Sequence, residues 1–293
     1  MKINRPWTTL EMLRWTSEYL AGKGIEDPRL NAELLLSGAL GIRRLDLYLQ
    51  FDRPLKDSEI ATFKAQLLRR ARREPLQYIA GYADFRQIRL RVDQRVLIPR
   101  PETELLVGEV LQWSSGRTAL RVLDVGTGSG AIALSLAVEG RFEQIIATDL
   151  SDAALAVAAM NLEELAPASS VELRQGALYE PVAGEQFDII VSNPPYIGEN
   201  ERDDLDVEVR EWEPGTALFS GSDGLDIIRQ LVAGAADHLR TGGLLALEIG
   251  TTQAEMVSGM VEATGAFRKP VVRNDLTGRE RMIIAELARG SAA

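Results

Sequence analysis

The spacing of apolar residues along the chain changes near residue 75. Before that point they recur at helical intervals, and Thr8 with Glu11 forms the capping-box pattern that begins a helix. Asp27 before Pro28 has the residue types of an N-cap and a first helical turn. We therefore predict a small all-α domain over residues 1–75.

Alternating apolar and charged residues follow over residues 76–100. Ile88, Leu90 and Val92 are separated by arginines, and the apolar stretch RVLIP comes after DQ. A period of two residues is typical of β-strands. We predict that this stretch is a β-hairpin linking two domains.

Over residues 101–293 apolar strands alternate with helices. The predicted strands read LRVLDV, QIIATD, VELRQ, FDIIVSN, LLALEIG, KPVVRN and RMIIAEL. Their apolar runs lack clean alternation, which indicates a mostly parallel sheet covered on both faces. The six residues DLTGRE between the last two strands are too few for a parallel crossover, so these strands should pair as a hairpin. The pattern predicts an α/β, doubly wound, seven-stranded sheet with one reversed edge strand.

Length and composition agree with two domains and restrict the chemistry. A chain of 293 residues exceeds the usual size of one hydrophobic core. With no cysteine and a single histidine, it should contain no disulfide and no metal site. No run approaches about 18 apolar residues, and the first residues lack the apolar core of a signal peptide. We expect a cytoplasmic protein that does not associate with membranes.

The net charge of −10 is unevenly distributed. Residues 1–75 hold 14 Lys and Arg against 10 Asp and Glu, and an arginine-rich stretch, the arginine belt, extends from Arg69 to Arg100. Between Glu199 and Glu213 eight acids face two arginines. Because acids repel phosphates, we expect no direct contact with nucleic acid. The arginine belt is predicted to help to dock a protein partner.

A glycine-rich turn joins the first strand of the predicted sheet to its helix. Gly126, Gly128 and Gly130 allow a ligand to approach the backbone, and the helix start offers free N–H groups. Asp149 ends the next strand, where its carboxylate can bind ribose hydroxyls. The glycine pattern leaves a nicotinamide cofactor and S-adenosylmethionine open. Asp124 favours S-adenosylmethionine, because an acid attracts its ammonium group and would repel a pyrophosphate.

The stretch FDIIVSNPPYI indicates how a methyl group could be accepted. Asn193 follows the strand, and Pro194 and Pro195 hold the backbone extended. The Asn193 side-chain oxygen and the Pro194 carbonyl can accept the two hydrogens of a planar NH2 group, on which Tyr196 can stack. A nitrogen held this way turns its reacting face toward a methyl donor, and such positioning lowers a barrier by about 7–11 kcal/mol.

Several blocks in the chain resemble one enzyme family. They are EPLQYIAG, VLIPRPETELLV, VLDVGTGSGAIALSLA, FDIIVSNPPYI, SGSDGLDIIRQL, GGLLALEIGTTQ and DLTGRERMI. In this order they are similar to the release-factor glutamine methyltransferases, often labelled PrmC or HemK. The similarity runs from about residue 74 to residue 287, whereas NPPY alone is shared with methyltransferases acting on adenine, guanine or glutamine nitrogens.

The resemblance implies a Rossmann-like methyltransferase that methylates the N5 nitrogen of glutamine in the glycine-glycine-glutamine motif of class 1 peptide chain release factors. S-adenosylmethionine is the implied methyl donor, and we expect a monomer. The resemblance implies that the glutamine amide is held by Asn193, Pro194, Pro195 and Tyr196. The implied donor-binding residues are Gly126, Thr127, Gly128, Ser129, Gly130, Asp149, Leu178 and Asn193. One departure is Ala177, which stands where the family usually has an acid beside the adenine.

Two other functions share the same reacting residues. A ribosomal-protein glutamine methyltransferase has the same block around Asn193, and only the N-terminal domain and docking surface would distinguish it. A DNA or RNA adenine or guanine amino-methyltransferase also carries NPPY. The acids after Asn193 and the lack of an appended nucleic-acid-binding module disfavour this last class.

The Asn193→Ala substitution tests the assignment of the reacting residues. It should abolish methyl transfer, because the substrate nitrogen loses an acceptor, while affinity for S-adenosylmethionine falls far less. Isothermal titration and a methylation assay on the same preparation measure both effects. Near-normal turnover would contradict the assignment.

Overall fold

The computed structural model describes residues 6–166 and 170–288. These residues form a helical unit and a larger α/β unit. The helical unit comprises residues 6–81 and Asp206–Trp212, and the α/β unit comprises the rest of the described chain. The domain boundaries drawn from the sequence stay predictions, and the outermost residues of the first and last predicted domains lie outside the described ranges.

The helical unit is built around one apolar core. Leu20, Leu36, Leu47 and Phe63 are almost completely buried in it, as their helical spacing requires. Its helices are α1 (Thr9–Gly22), α2 (Pro28–Leu40), α3 (Arg44–Leu49), α4 (Asp57–Arg70), α5 (Leu76–Ala80) and α9 (Val207–Trp212).

The start of α1 follows the predicted capping box. The Thr8 hydroxyl accepts a hydrogen bond from the Glu11 amide, and the Glu11 carboxylate accepts one from the Thr8 amide. The predicted N-cap of α2, Asp27, and the predicted proline of its first turn, Pro28, are confirmed. Asp27 precedes the helix but has φ 46° and makes no side-chain cap bond, and instead its carbonyl accepts hydrogen bonds from Asn31.

The α/β unit begins with a β-hairpin whose strands differ from those predicted. Strand β1 (Tyr82–Phe85) pairs antiparallel with β2 (Ile88–Arg91), and the RVLIP stretch is not a strand. Arg86 turns the chain with φ 49°, and its guanidinium is held by Glu139 and by the Glu104 carbonyl. These long-range bonds determine the turn, so the local pattern could not reveal it.

A seven-stranded sheet forms the centre of the α/β unit. Its strands are β3 (Arg121–Val125), β4 (Gln144–Asp149), β5 (Val171–Gln175), β6 (Phe187–Ser192), β7 (Leu239–Glu248), β8 (Val271–Asn274) and β9 (Glu280–Glu286). Their spatial order is β5, β4, β3, β6, β7, β9, β8. The helices α6 (Pro101–Ser114), α7 (Ala131–Glu139), α8 (Asp152–Leu165), α10 (Asp226–His238) and α11 (Ala254–Ala263) complete the predicted doubly wound fold.

The reversed strand is not at the edge of the sheet, contrary to the prediction. Strand β9 lies between β7 and β8 and pairs antiparallel with both. Its residues Met282, Ile283 and Ala285 are buried, so a position with partners on both sides suits them. Strand β8 is mostly exposed and occupies the edge, where unpaired backbone groups meet water.

The functional end of the sheet is determined by the pairing of β3 with its two neighbours. Val125 of β3 pairs with Thr148 of β4 and with Ser192 of β6, all in parallel. The chain therefore proceeds from β3 toward one edge and later returns to start again at β6. This topological switch point leaves a crevice beyond the carboxyl ends of β3 and β6.

The arginine belt is largely neutralised by carboxylates. Its ion pairs are Arg69–Glu74, Arg70–Glu208, Arg73–Glu208, Arg86–Glu139, Arg89–Asp84, Arg91–Glu164, Arg95–Asp93 and Arg100–Glu213. Paired arginines contribute little free charge, so the belt is a weaker docking surface than its sequence suggests. Arg72 is exposed. Arg72→Glu therefore tests docking without breaking the ion pairs that reversing the charges of Arg69, Arg70 and Arg73 would break.

Arg70 holds helix α9 within the helical unit. Its buried guanidinium donates to the Asn31 side chain at 2.7 Å, to the Glu74 carbonyl at 3.0 Å and to Glu208 of α9 at 2.7 Å. Three acceptors satisfy a charge that would otherwise be costly to bury. This cation is therefore structural.

We expect Arg70→Met to lower the unfolding free energy of the helical unit by about 3 kcal/mol, because it leaves buried acceptors without a donor. Glu208→Gln is the control, and it should cost about 1 kcal/mol or less because Glu208 is partly solvated and its replacement still accepts a hydrogen bond. Urea unfolding followed by circular dichroism measures both. Equal losses in the two variants would contradict the structural role of Arg70.

Within residues 6–166 and 170–288, no helix combines the length and the apolar character needed to cross a membrane.

Candidate active site

A cavity of about 390 Å³ lies in the α/β unit at the carboxyl ends of the parallel strands. Its walls include the glycine turn after β3, the end of β4, the segment after β5 and the start of the NPPY stretch after β6. Among the predicted site residues, those that line it are Gly126, Gly128, Asp149, Leu178, Asn193, Pro194 and Pro195. Those outside its lining are Asp124, Thr127, Ser129, Gly130 and Tyr196.

The glycine turn and Asp149 form one hydrogen-bonded wall of the cavity. The Gly128 amide donates to the Asp149 carboxylate at 2.9 Å, and the Ser151 amide donates to its other oxygen at 2.8 Å. Gly126 and Gly128 adopt φ of 76° and 56°, a backbone that favours glycine. Burial raises the pKa of Asp149, although these amide donors oppose the shift. Each carboxylate oxygen keeps capacity to accept a ligand hydroxyl.

The other residues of the turn support it from within the protein. The Thr127 hydroxyl donates to Asp124 at 2.6 Å, and the Ser129 carbonyl accepts from Asn161. Gly130 caps α7 with φ 85°, and a Cβ there would lie 2.9 Å from a Leu134 methyl carbon. Close packing therefore explains this glycine without a ligand.

Asp124 is completely buried at the end of β3. Its Oδ2 accepts hydrogen bonds from Thr127 and from the Ala133 amide, whereas Oδ1 has no partner among the described residues. Burial raises the pKa of this carboxyl to about 7. Its predicted contact with an ammonium group stays a prediction, because the side chain does not line the cavity.

Ala177 and Leu178, in the segment that follows β5, line the cavity without adding charge. The exposed Leu150 lines it as well. Leu178 has φ 48°, an unfavourable conformation for a leucine. Strain of this kind is often retained at ligand-binding positions. It supports the prediction that Leu178 contacts the ligand, while Ala177 provides no acceptor for an adenine amino group.

Asn193 and Pro194 present two free acceptors beside the cavity. Asn193 donates through Nδ2 to the Thr103 hydroxyl at 2.9 Å, and its Oδ1 has no partner within the described residues. The Pro194 carbonyl likewise makes no hydrogen bond within the described part of the chain. Both residues line the cavity, and two free acceptors match the two hydrogens of an NH2 group in number.

A buried acid connects Asn193 with Tyr196. The Thr103 hydroxyl donates to one oxygen of Glu248 at 2.7 Å, and the Tyr196 hydroxyl donates to the other at 3.3 Å. Glu248 is fully buried, and burial raises its pKa to about 7. Tyr196 thus directs its hydroxyl toward this acid, and its predicted stacking on a substrate amide stays a prediction.

The backbone of the NPPY stretch is held by a glycine and a glutamine. The Gln253 side chain donates to the Tyr196 carbonyl at 2.9 Å, and its oxygen accepts from the Gly250 amide. A Cβ on Gly224 would lie 2.1 Å from the same Tyr196 oxygen. Gly224 is therefore required for the close approach of two loops.

Glu213 and Arg100 form a further pair near the cavity. Their ion pair measures 2.7 Å, and the second oxygen of Glu213 is buried without a partner in the described chain. Burial raises the pKa of Glu213, and Arg100 opposes the shift. The neighbouring residues Pro214, Thr216 and Ala217 line the cavity. The ion pair therefore holds the backbone at Glu213, just before this part of the cavity wall.

The family resemblance placed the block Arg100–Glu104, which contains Thr103, against the active site, but sequence reasoning missed the supporting residues Gly224, Glu248 and Gln253. Each lies inside one of the blocks that carried the family resemblance, but their partners are far away in sequence. Thr103 and Glu248 are 145 residues apart, and Thr103 and Asn193 are 90 apart. The one available signal in the sequence was Glu248, an acid within the apolar strand LLALEIG, because a buried acid needs hydrogen-bond partners.

Gly224→Ala should reduce methyl transfer by up to about 100-fold, because the new Cβ displaces the Tyr196 carbonyl and with it the NPPY stretch. Gly242→Ala is the matched control. Gly242 has a similar φ of 78° but open space around it, so it should cost only about 1–2 kcal/mol of stability and keep turnover. Steady-state kinetics and thermal unfolding compare the two, and equal turnover would contradict the role of Gly224.

In residues 6–166 and 170–288, no group of three or more His, Asp or Glu side chains is placed to hold a metal ion.

Comparison with protein families places each part of the chain. The PrmC N-terminal domain matches residues 11–81, and the Methyltransferase small domain matches residues 101–209. A methyltransferase of known structure from Pyrococcus furiosus has a TM-score of 0.52 and 19% sequence identity, covering 68% of this chain and 88% of that one. This likeness confirms the methyltransferase fold.

Two curated relatives extend over nearly the whole chain. The release factor glutamine methyltransferase of Geobacter sulfurreducens is 44% identical over 277 residues, which cover 94% of this chain and 96% of the relative. That of Rhodopirellula baltica is 40% identical over 288 residues, or 97% of both chains. These similarities confirm the resemblance found in the sequence blocks, and the chain belongs to the release factor glutamine methyltransferase family.

Proposed function

We propose that this protein transfers a methyl group from S-adenosylmethionine to the N5 nitrogen of the glutamine in the glycine-glycine-glutamine motif of class 1 peptide chain release factors. The observation that carries the proposal is the pair of free acceptors, Asn193 Oδ1 and the Pro194 carbonyl, beside a cavity with a glycine turn. The curated relatives, named release factor glutamine methyltransferases, support the choice of a release factor as substrate.

The residues around the cavity suit the methyl donor. Asp149 retains acceptor capacity for ribose hydroxyls, and Leu150 and Leu178 supply apolar surface for a base. Gly126 and Gly128 keep the wall free of side chains. The donor supplies an activated methyl group on a sulfonium, whose positive charge makes it reactive toward a weak nucleophile.

The protein's contribution is to position the substrate nitrogen. The lone pair of an amide nitrogen is delocalised, so the nitrogen attacks poorly unless it is held in a reactive geometry. Asn193 and Pro194 accept its two hydrogens, and their acceptance strengthens as positive charge develops on the nitrogen. The nitrogen–methyl bond forms as the carbon–sulfur bond breaks, and the now acidic nitrogen releases one proton. No strong base is needed before the attack.

The charges of the chain favour a protein substrate over a nucleic acid. Carboxylates pair with most of the arginine belt, and acids dominate the segment from Glu199 to Glu213. Phosphate binding requires unpaired cations near the reacting site. Because the proposed substrate belongs to the translation machinery, we also propose that the protein acts in the cytoplasm, as a monomer.

Incubation with labelled S-adenosylmethionine tests the substrate. Label should enter a class 1 release factor, and the glutamine-to-alanine variant of its glycine-glycine-glutamine motif should remain unlabelled. A mixture of ribosomal proteins serves as the competing substrate, because the alternative glutamine methyltransferase would label it.

Mass spectrometry of the labelled peptide then locates the added methyl group. Labelling of a ribosomal protein in preference to the release factor would refute the proposal in favour of the alternative. Labelling of DNA or RNA would refute the protein substrate altogether.

A further inference from the structure

The hydrogen bonds from Asn193 to Glu248 form a chain with a defined direction. Asn193 Nδ2 lies 2.9 Å from the Thr103 hydroxyl oxygen, which in turn lies 2.7 Å from Glu248. Thr103 and Glu248 are both buried, so water does not compete for these bonds. Asn193 is the residue of this chain that lines the cavity.

Counting protons determines how this chain is arranged. An ionised carboxylate only accepts hydrogen bonds, and a hydroxyl has one hydrogen to donate. Thr103 must therefore give its hydrogen to Glu248 and can only accept from Asn193. The Asn193 amide must donate to Thr103, so its NH2 group lies on the Thr103 side and its oxygen faces the opposite side.

We propose that Thr103 and Glu248 are positioning residues that fix the orientation of the Asn193 amide, so that Oδ1 faces the substrate nitrogen. The proposal rests on the proposed function, in which that nitrogen carries two hydrogens. In the opposite orientation two NH2 groups would face each other, and the acceptor needed for methyl transfer would point into the protein. The buried acid thereby acts on the reaction through two intervening side chains.

The charge state of Glu248 decides whether the direction is enforced. The groups that face this acid are Thr103, Tyr196, Glu102 and Arg281. Burial and Glu102 raise the pKa of Glu248, whereas the hydroxyl donors and Arg281 lower it, with a result of about 7. Protonated Glu248 can donate to Thr103, which allows both orientations of the amide, so turnover through this chain should fall as the pH drops through 7.

Substitutions at Thr103 separate the hydroxyl from the side-chain volume. Thr103→Val keeps the shape but neither accepts from Asn193 nor donates to Glu248, and it should lower kcat about tenfold. Thr103→Ser keeps the hydroxyl and should lose far less. We would also measure the KM for the release factor, the affinity for S-adenosylmethionine and the unfolding temperature. If Thr103 had a purely structural role, the unfolding temperature would fall in both variants and any loss of kcat would follow it.

Reversing the chain provides the sharpest test. In an Asn193→Asp variant, a carboxylate faces Thr103 and competes with Glu248 for its one hydrogen. Adding Glu248→Gln supplies a donor to Thr103, which frees the hydroxyl to donate to the new carboxylate. In the protein with Asn193, we expect Glu248→Gln to lower kcat about twofold or more, since two orientations of the Asn193 amide become allowed. In the Asn193→Asp variant, we expect the same substitution to raise kcat.

A third substitution distinguishes reversal of the chain from relief of charge repulsion. If the gain requires the Thr103 hydroxyl, it disappears when Thr103→Val is added to the double variant, whereas charge relief would persist. A loss from Glu248→Gln in both backgrounds, or a gain that survives Thr103→Val, would overturn the proposal. Equal activity of Thr103→Val and Thr103→Ser would overturn it as well.

A readout independent of methyl transfer keeps the two proposals separable. The side-chain NH2 signals of Asn193 in a 15N–1H spectrum are assigned by their loss in Asn193→Asp. They should exchange slowly with water in the unsubstituted protein and in Thr103→Ser, and faster in Thr103→Val. If the protein does not methylate a release factor but the signals behave this way, the proposed function fails and the fixed amide stands. If they are unprotected in all three, the fixed amide fails whatever the substrate.

Discussion

The site depends on the parallel pairing of Val125 with Ser192. Because these two residues lie side by side, the glycine turn after β3 and Asn193 after β6 leave the sheet at the same end. The Ser192 hydroxyl reinforces the pairing by donating to the Val125 carbonyl at 2.7 Å. The methyl donor and the acceptor nitrogen are brought together by this register, and a slip of one residue would turn Asn193 away from the glycine turn.

The features predictable from the sequence were those encoded by short-range patterns. The seven strands, the glycine turn, Asp149 and the NPPY stretch each involve neighbouring residues, and the structure brings most of them to one cavity. The errors arose where tertiary contacts decide. Strand β9 is inserted before β8 because its apolar residues need partners on both sides, and the hairpin turns at Arg86 because distant groups hold its guanidinium.

Charge illustrates the same limit of sequence reasoning. A run of arginines in the sequence suggests a positive surface, but carboxylates that pair with them cancel that charge. Here the partners lie up to 138 residues away along the chain, as in the Arg70–Glu208 pair, so the sequence does not reveal them. The site shows the converse effect. Glu248 is one acid among many in the sequence, but its complete burial makes its protonation state a property of the reacting centre.

The placement of Asp206–Trp212 in the helical unit has a consequence for dissecting the protein. The chain enters the α/β unit after Gly81, returns to the helical unit for these residues, and re-enters the α/β unit at Glu213. A fragment that starts at Tyr82 would therefore retain α9 but lose Arg70 and Arg73, the two cations that pair with its Glu208. If such a fragment had low activity, that result would not show that the helical unit recognises the substrate. The truncation would also remove the Arg70–Glu208 contact from the segment that leads into the cavity wall at Pro214.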